Sequence, residues 1–435
     1  MSESLVIFWF RRDLRLHDNI GLEAALQSGK LVLPVFIFDE QIIKNLDLND
    51  ARLNFIYEQL QTMNDQLIIH GSALEILKGN PVVVWKHITE KFRITDVYFN
   101  HDYEPYAIQR DHEVEQLLLS KSIRVHTFKD HVIFEKDEVV KPDHFPYTIY
   151  TPYKNKWLEK FEKIKEGLLL NKNEAGSNYL CRISIFPSRE ELGIIKSDIH
   201  VSDFDLENIL DYKKFRDFPF PDKTSHVGPH LRFGTISVRE LAARAMQLDE
   251  VYLSELIWRD FFIQILYHFP YVTEWCFKKQ YEYIQWENRT DHFEKWCMGE
   301  TGYPLVDAGM RQLHATGTMH NRVRMICASF LVKHLLIDWR WGEAYFAEKL
   351  LDFELASNNG NWQWAAGCGC DAAPYFRVFN PAIQQEKFDP ELKYIRTWIP
   401  DYDPSNYCSP IVEHNFARER AVKRFKDGLH QANGK

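Results

Sequence analysis

The sequence predicts a chain in two parts, an α/β domain at the N-terminus and an all-α domain at the C-terminus. Three observations carry this. Apolar runs of strand length alternate with helical segments over residues 1–135. The pattern dissolves over 136–200, where Pro142, Pro146, Pro152 and Pro187 interrupt it. Over 201–435 strand signals vanish and helical spacing takes over. A chain of 435 residues also exceeds what one hydrophobic core organises.

Residues 5–10 (LVIFWF) form a continuous apolar run, the mark of a strand buried on both faces. A helix is expected over 19–27, with Gly29 placed to end it. Residues 31–38 read as a second buried strand, although Pro34 has no N–H for the ladder. Over 51–63, Leu53, Ile56, Tyr57 and Leu60 share one helical face. Residues 81–92 suit a helix with Pro81 near its start, and 96–100 a short strand. Strands separated by such helices imply a parallel sheet with right-handed crossovers. The segment 136–200 reads as a long connection over the surface with a helix near 154–166. Beyond it, helices are expected over 238–246, 252–268, 304–314, 321–336 and 342–350, then a short basic one over 416–425. Asn321 and Met325 fall on one face of their helix, away from its apolar stripe.

Composition narrows the function. The longest apolar run, 31–38, is strand-sized, and residues 1–4 carry neither a secretory signal nor a basic transit peptide, so a cytoplasmic protein without a membrane span is expected. Seven scattered cysteines without a CxxC pair suit reduced thiols rather than a metal site. The net charge of −9 means that any binding of DNA rests on a local basic patch. No GxxxxGK[ST], HExxH or GxSxG motif occurs, and the GxGxxA match at 367–372 stands far from any strand–helix turn.

Four clusters remain. Trp258, Trp286, Trp339, Trp341, Trp362 and Trp364 crowd the helical part, either filling its core or lining a cavity. Asp352, Glu354, Asn358 and Asn359 enter an apolar helical pattern; buried, they need partners, and exposed, they cap a helix. Arg322 and Arg324 beside Asn321 suit a phosphate or carboxylate, or a solvated face. The turn 223–229 (KTSHVGP) can cradle a phosphate or merely cap the next helix.

Taken in order, the segments FRRDLRL (10–16) with HDN (17–19), ELIWRDFF (255–262), TGYPLVD (301–307), MHNRVRM (319–325), NNGNWQW (358–364), and DAAPYFR (371–377) with FNP (379–381) resemble the photolyase/cryptochrome family over nearly the whole chain. The resemblance is greatest to its class I cyclobutane pyrimidine dimer (deoxyribodipyrimidine) photolyases. It implies an N-terminal domain with a five-stranded, parallel, Rossmann-like sheet, and an all-α C-terminal domain that binds FAD. The implied boundaries are 1–135 for the α/β antenna domain, 136–200 for the connection and 201–435 for the catalytic domain.

By the same resemblance, Tyr212, Thr224, Ser225, His226, Val227, Gly228 and Tyr252 would hold FAD, with Arg259 bringing charge to the pyrophosphate. The family usually has a hydroxylated residue where Gly228 stands, which makes that contact backbone-only. Asp352, paired to Arg324, and Glu354 would meet the sugar and isoalloxazine side, where the family more often has Asp in place of Glu354. Asn358 would sit at the flavin N5, where plant cryptochromes carry an acid. Trp286, Trp339 and Trp362 match the family's electron-transfer triad. Glu255, Asn321 and Met325 would be catalytic; (6-4) photolyases and animal cryptochromes have histidines at the last two positions. Trp258 and Trp364 would clamp a flipped-out dimer, and a DASH cryptochrome would carry Tyr in place of Trp364. Arg216, Arg322, Arg377 and Gln384 would hold the flanking DNA without reading its sequence.

The expectation is therefore light-driven repair of thymine dimers in UV-damaged DNA by a monomeric lyase. The alternative is a cryptochrome-like blue-light receptor that binds FAD without repair. A second antenna chromophore, a folate or a deazaflavin, is implied too. Folate-binding class I enzymes have an Asn-Glu pair where Tyr106 and Ala107 stand, which leaves a deazaflavin, another flavin or no antenna.

Overall fold

The computed structural model of the chain describes residues 4–170 and 178–434; residues 1–3, read above for a leader, and 171–177 of the expected connection lie outside them. The chain divides into two compact units. The first comprises Met1–Glu138, Trp157–Phe204 and His226–Met246, and the second Val139–Lys156, Asp205–Ser225 and Gln247–Lys435.

The first unit contains a five-stranded parallel sheet. Its elements run β1 (Leu5–Phe10), α1 (Ile20–Gln27), β2 (Val32–Asp39), α2 (Glu40–Ile43), α3 (Ala51–Ile69), β3 (Glu75–Gly79), α4 (Pro81–Lys91), β4 (Ile94–Asn100), α5 (Pro105–Ser120) and β5 (Arg124–Phe128). The spatial order is β3-β2-β1-β4-β5. Alternation along β1 builds the two cores: Val6, Phe8 and Phe10 join one apolar cluster, and Leu5, Ile7 and Trp9 the other. That double burial is why β1 reads as an unbroken apolar run. Pro34 sits opposite Phe8 but just before β3 begins to pair, at Val35. The edge strands β3 (EILKG) and β5 (RVHTF) are short, polar and partly exposed, and gave no apolar run to read.

The FRRDLRL segment follows β1 and works as a buried ion network. Arg12 pairs with Asp102 at 3.0 Å, and Arg15 with Asp130 at 2.7 Å. Arg239 reaches the same Asp130 at 2.8 Å. Asn19 caps α1 and accepts at 2.8 Å from the Asn100 amide, which also donates to Asp13 at 2.6 Å.

The second unit is helical. Its main helices are Glu250–His268, Pro304–Thr316, Trp339–Lys349, Leu355–Ala366 and His414–Asn433. The helix expected over 321–336 is not a single α-helix. Asn321–Ser329 passes into a π-helical turn, Phe330–His334, and Leu336 takes a left-handed φ of 49°. The apolar stripe continues through the change, so sequence periodicity cannot register it. The connection is also not a purely surface segment. Tyr150, Tyr153, Trp157 and Phe161 are buried, at helical spacing, on a helix that runs Tyr150–Leu170 rather than 154–166. The boundary between the units falls within this helix.

Two glycines bring helices of the second unit into close contact. A Cβ on Gly342 would lie 2.1 Å from the Trp362 ring, and one on Gly360 would lie 2.2 Å from the Phe262 ring. Gly342→Ala is expected to destabilise the protein by about 1–3 kcal/mol through overpacking against Trp362, measured as a lowered urea midpoint. An unchanged midpoint would show that the contact yields freely.

Candidate cofactor and substrate site

Helix Glu250–His268 opens with an Asp249 cap and presents Tyr252, Glu255, Trp258 and Arg259 over two turns. The Tyr252 hydroxyl lies 2.9 Å from Ser225 Oγ, and its ring meets Tyr212 edge-on at 5.0 Å. Burial pushes the Tyr252 phenol up to about 12, so it remains a donor. Thr224 turns its hydroxyl to Asp222 at 2.6 Å, while its carbonyl accepts from Asn208 at 3.0 Å. The chain then passes through His226, left-handed at φ 53°, into the short helix Val227–Phe233, whose first turn holds Val227 and Gly228. The unit boundary falls between Ser225 and His226.

Of the four polar groups, Asp352 and Glu354 precede the Trp-rich helix Leu355–Ala366, and Asn358 and Asn359 lie on it. Asp352 and Glu354 are held by arginines: Arg324 donates to Asp352 at 2.9 Å, and Arg259 to Glu354 at 2.9 Å. Arg324 also donates to the Met319 carbonyl at 2.7 Å. Asp352 Oδ1 is buried and accepts no hydrogen bond. Asn358 is buried and its amide donates to the carbonyl and the carboxylate of Glu343, each at 3.0 Å. Burial pushes Glu343 up, with the Asn358 hydrogen bond opposing. Asn359, in contrast, donates to the Val272 carbonyl and accepts from Gln363, which makes it a packing group. Arg259, expected at the phosphates, is engaged by Glu354.

Trp362 and Trp339 are buried, and Trp286 is half-buried against Phe425 at 5.7 Å. Trp362 meets Phe346 at 5.0 Å and Trp296 at 6.3 Å. Trp364, two residues on, is only partly buried, as its opposed helical direction requires.

Asn321 and Met325 come together, with the Asn321 amide 3.9 Å and Arg322 Nη1 3.7 Å from Met325 Sδ. Arg322 is also paired with Asp217 and lies 4.5 Å over the Phe388 ring. Arg216 pairs with Glu255 at 2.8 Å and lies 5.4 Å over Tyr212. Burial raises Glu255 above the usual carboxylate range, with Arg216 and Lys154 opposing. Trp258 is half-buried and stacks on Tyr150. Arg377 is exposed, stacked on its neighbour Phe379, and Gln384 stands on the helix Pro381–Phe388; neither joins these pairs. Sequence reasoning missed Asp217, Glu343 and Tyr150. Asp217 had a signal in its adjacency to Arg216, whereas Glu343 and Tyr150 had none.

In the first unit, a cleft of about 910 Å³, part of it open to solvent, is bordered by Phe38, Lys44, Leu53, Lys78 and Ile194. Tyr106 lies elsewhere in that unit and donates to Asp39 at 2.7 Å. Among the described residues no cluster of His, Cys, Asp and Glu could hold a metal, and no helix is long and apolar enough to cross a membrane.

Comparison with known proteins agrees with this architecture. A family model for DNA photolyase matches residues 6–170, and one for the FAD binding domain of DNA photolyase matches 252–405. A deoxyribodipyrimidine photo-lyase of Synechococcus sp. is 34% identical, covering 98% of this chain and 97% of its own. Among solved structures, an archaeal photolyase from Sulfolobus tokodaii with two FAD molecules is 35% identical over 97% of this chain and 99% of its own, at a TM-score of 0.83. A class III photolyase from Agrobacterium tumefaciens reaches the same TM-score at 31% identity, over 98% of each chain. The fold is that of the light-dependent flavoprotein lyases. The chain belongs to the DNA photolyase family and carries its FAD-binding domain.

His320 caps the helix Asn321–Ser329 by accepting from the Arg322 N–H at 3.2 Å through Nδ1. Burial holds its pKa down to about 4, so it stays neutral near pH 7. The unfolded chain binds the proton first, near 6.5, so His320 contributes its full stability above that pH and loses it as pH falls toward 4. The slope is up to about 1.4 kcal/mol per pH unit. Urea titrations at pH 7 and pH 5 are expected to show a smaller loss for His320→Asn, which keeps a capping acceptor, than for the wild type. Equal losses would place the pH sensitivity elsewhere.

Proposed function

We propose that this chain repairs cyclobutane pyrimidine dimers in DNA, using light and reduced FAD. The observation that carries the reading is the grouping of Asn321, Met325 and Arg322 on one helical turn, together with a Glu255 whose pKa burial raises against the opposing Arg216. Asp352 Oδ1, buried without a donor, and the anchored Arg259, Arg324 and Asn358 suit a polar cofactor with hydroxyl and amide edges. Bound FAD would supply the light-driven one-electron chemistry.

The chain's own residues have separate tasks. Photolyases are among the enzymes that extrude their target nucleotide, at a cost of about a few kcal/mol, least for a damaged base. Trp258 and Trp364 offer indole surface to an extruded dimer and recover part of that cost. A protonated Glu255 can donate to a pyrimidine carbonyl, and the Asn321 amide can both donate and accept. Met325 brings no titrating proton, which suits ring opening without a proton relay. Arg216 and Arg322 would exchange their carboxylate partners for DNA phosphates. Trp286, Trp339 and Trp362 would carry the electron that keeps the flavin reduced. In the first unit, the cleft bordered by Glu40, Lys44 and Lys78 is a candidate place for an antenna chromophore, and Tyr106 and Ala107 leave a deazaflavin, another flavin or no antenna as its occupant.

The test is blue-light illumination of purified protein with UV-irradiated oligothymidine under reductant. Thymine absorbance is expected to recover in the light and not in the dark; no recovery with FAD bound and reduced would refute the reading. Affinity for dimer-containing DNA is expected to fall as salt rises. Arg322→Ala should reduce the slope of log K against log salt by about one. A salt-independent affinity would exclude the phosphate role.

A further inference from the structure

We infer that Tyr150 is a positioning residue that fixes Trp258 as a rigid wall of the lesion pocket. This rests on the repair reading above. The two rings are parallel, with centroids 3.5 Å apart and 6° between planes. Tyr150 is held at both ends: its hydroxyl donates to the Ser254 carbonyl at 2.7 Å, and its backbone N–H donates to Asp371 at 2.9 Å. Phe261 meets both rings edge-on, at 5.8 Å from Tyr150 and 5.6 Å from Trp258. Phe262, one turn along the helix, lies 5.4 Å from Trp258.

These anchors distinguish a support from a lid. A lid residue would be exposed and tethered loosely, whereas Tyr150 is 8% exposed, its backbone is tied to Asp371, and its ring could swing away only by breaking the Ser254 hydrogen bond and the stack. Trp258 remains half-buried, so part of its indole is open while the rest is held. Rotation of that indole would forfeit the stack, so its orientation is set before any base arrives. An aromatic surface fixed in advance loses less entropy when a base stacks on it.

The test is a double-mutant cycle on lesion affinity, measured with a dimer-containing oligonucleotide and FAD-loaded protein. Tyr150→Leu is expected to weaken binding about tenfold, and Tyr150→Phe, which keeps the stack, no more than about threefold. FAD content and repair yield per bound dimer should be unchanged. In a Trp258→Ala background Tyr150→Leu should cost nothing further, because its effect passes through the indole. Losses that add, or an affinity equal to wild type, overturn the inference. Should Tyr150→Leu not load FAD, the cycle run with Tyr150→Phe decides on the same criterion, its smaller loss vanishing or persisting without Trp258. A wild-type protein that does not prefer dimer-containing DNA refutes the repair reading and this inference together. A preference with an additive cycle refutes only the role of Tyr150.

Discussion

Arginine–carboxylate pairing governs the helical unit. Arg216 with Glu255, Arg322 with Asp217, Arg259 with Glu354 and Arg324 with Asp352 form four such pairs among the candidate site residues. A guanidinium withdrawn from water needs a counter-charge, and leaving it alone costs more than the pair returns. The arrangement therefore reconciles two demands. It keeps an acidic chain folded around partly buried cations, and it offers those cations to an anion of better geometry. If Arg216 and Arg322 meet DNA phosphates as proposed, binding is an exchange of partners whose affinity depends on how easily Glu255 and Asp217 give way.

Paired cations also differ in depth. Arg322 and Arg216 each lie over an aromatic ring, Phe388 and Tyr212, that leaves the guanidinium edge available. Glu354 is deeply buried, and Ser357 donates to its second oxygen at 3.0 Å. The first two pairs suit exchange with a ligand that comes and goes, the third suits a resident group.

Sequence reading reached the parts of this molecule whose physics is local. The double burial of β1 is written in its apolar run, and the extent of α1 in the segment from Asn19 to Gln27, although Asn19 proves to be its cap rather than its first turn. What it missed depends on partners distant in sequence. β3 and β5 are strands because β2 and β4 supply their hydrogen bonds, not because of their own residues. The π-turn at Phe330–His334 changes hydrogen-bond spacing without changing which residues are apolar. Tyr150 looked like part of a Pro-broken connection, and its importance is visible only once Trp258 lies against it. Asn359 and Asn358 are adjacent and identical in type, yet one pins backbone while the other meets Glu343; only the packed helix separates them.

The chain passes between the two units five times, at 138/139, 156/157, 204/205, 225/226 and 246/247. Tyr179, Leu192, Ile194 and Phe233 all belong to a core of the sheet unit whose strands end at Phe128. On the ribosome, then, that core cannot close when its last strand emerges and must wait for about a hundred further residues. The half-made sheet is a nascent-chain liability, exposed for the seconds that synthesis of that stretch takes. A gene cut after residue 135 would encode the sheet without the side chains that seal it, which bars the two units from being inherited or recombined as separate modules.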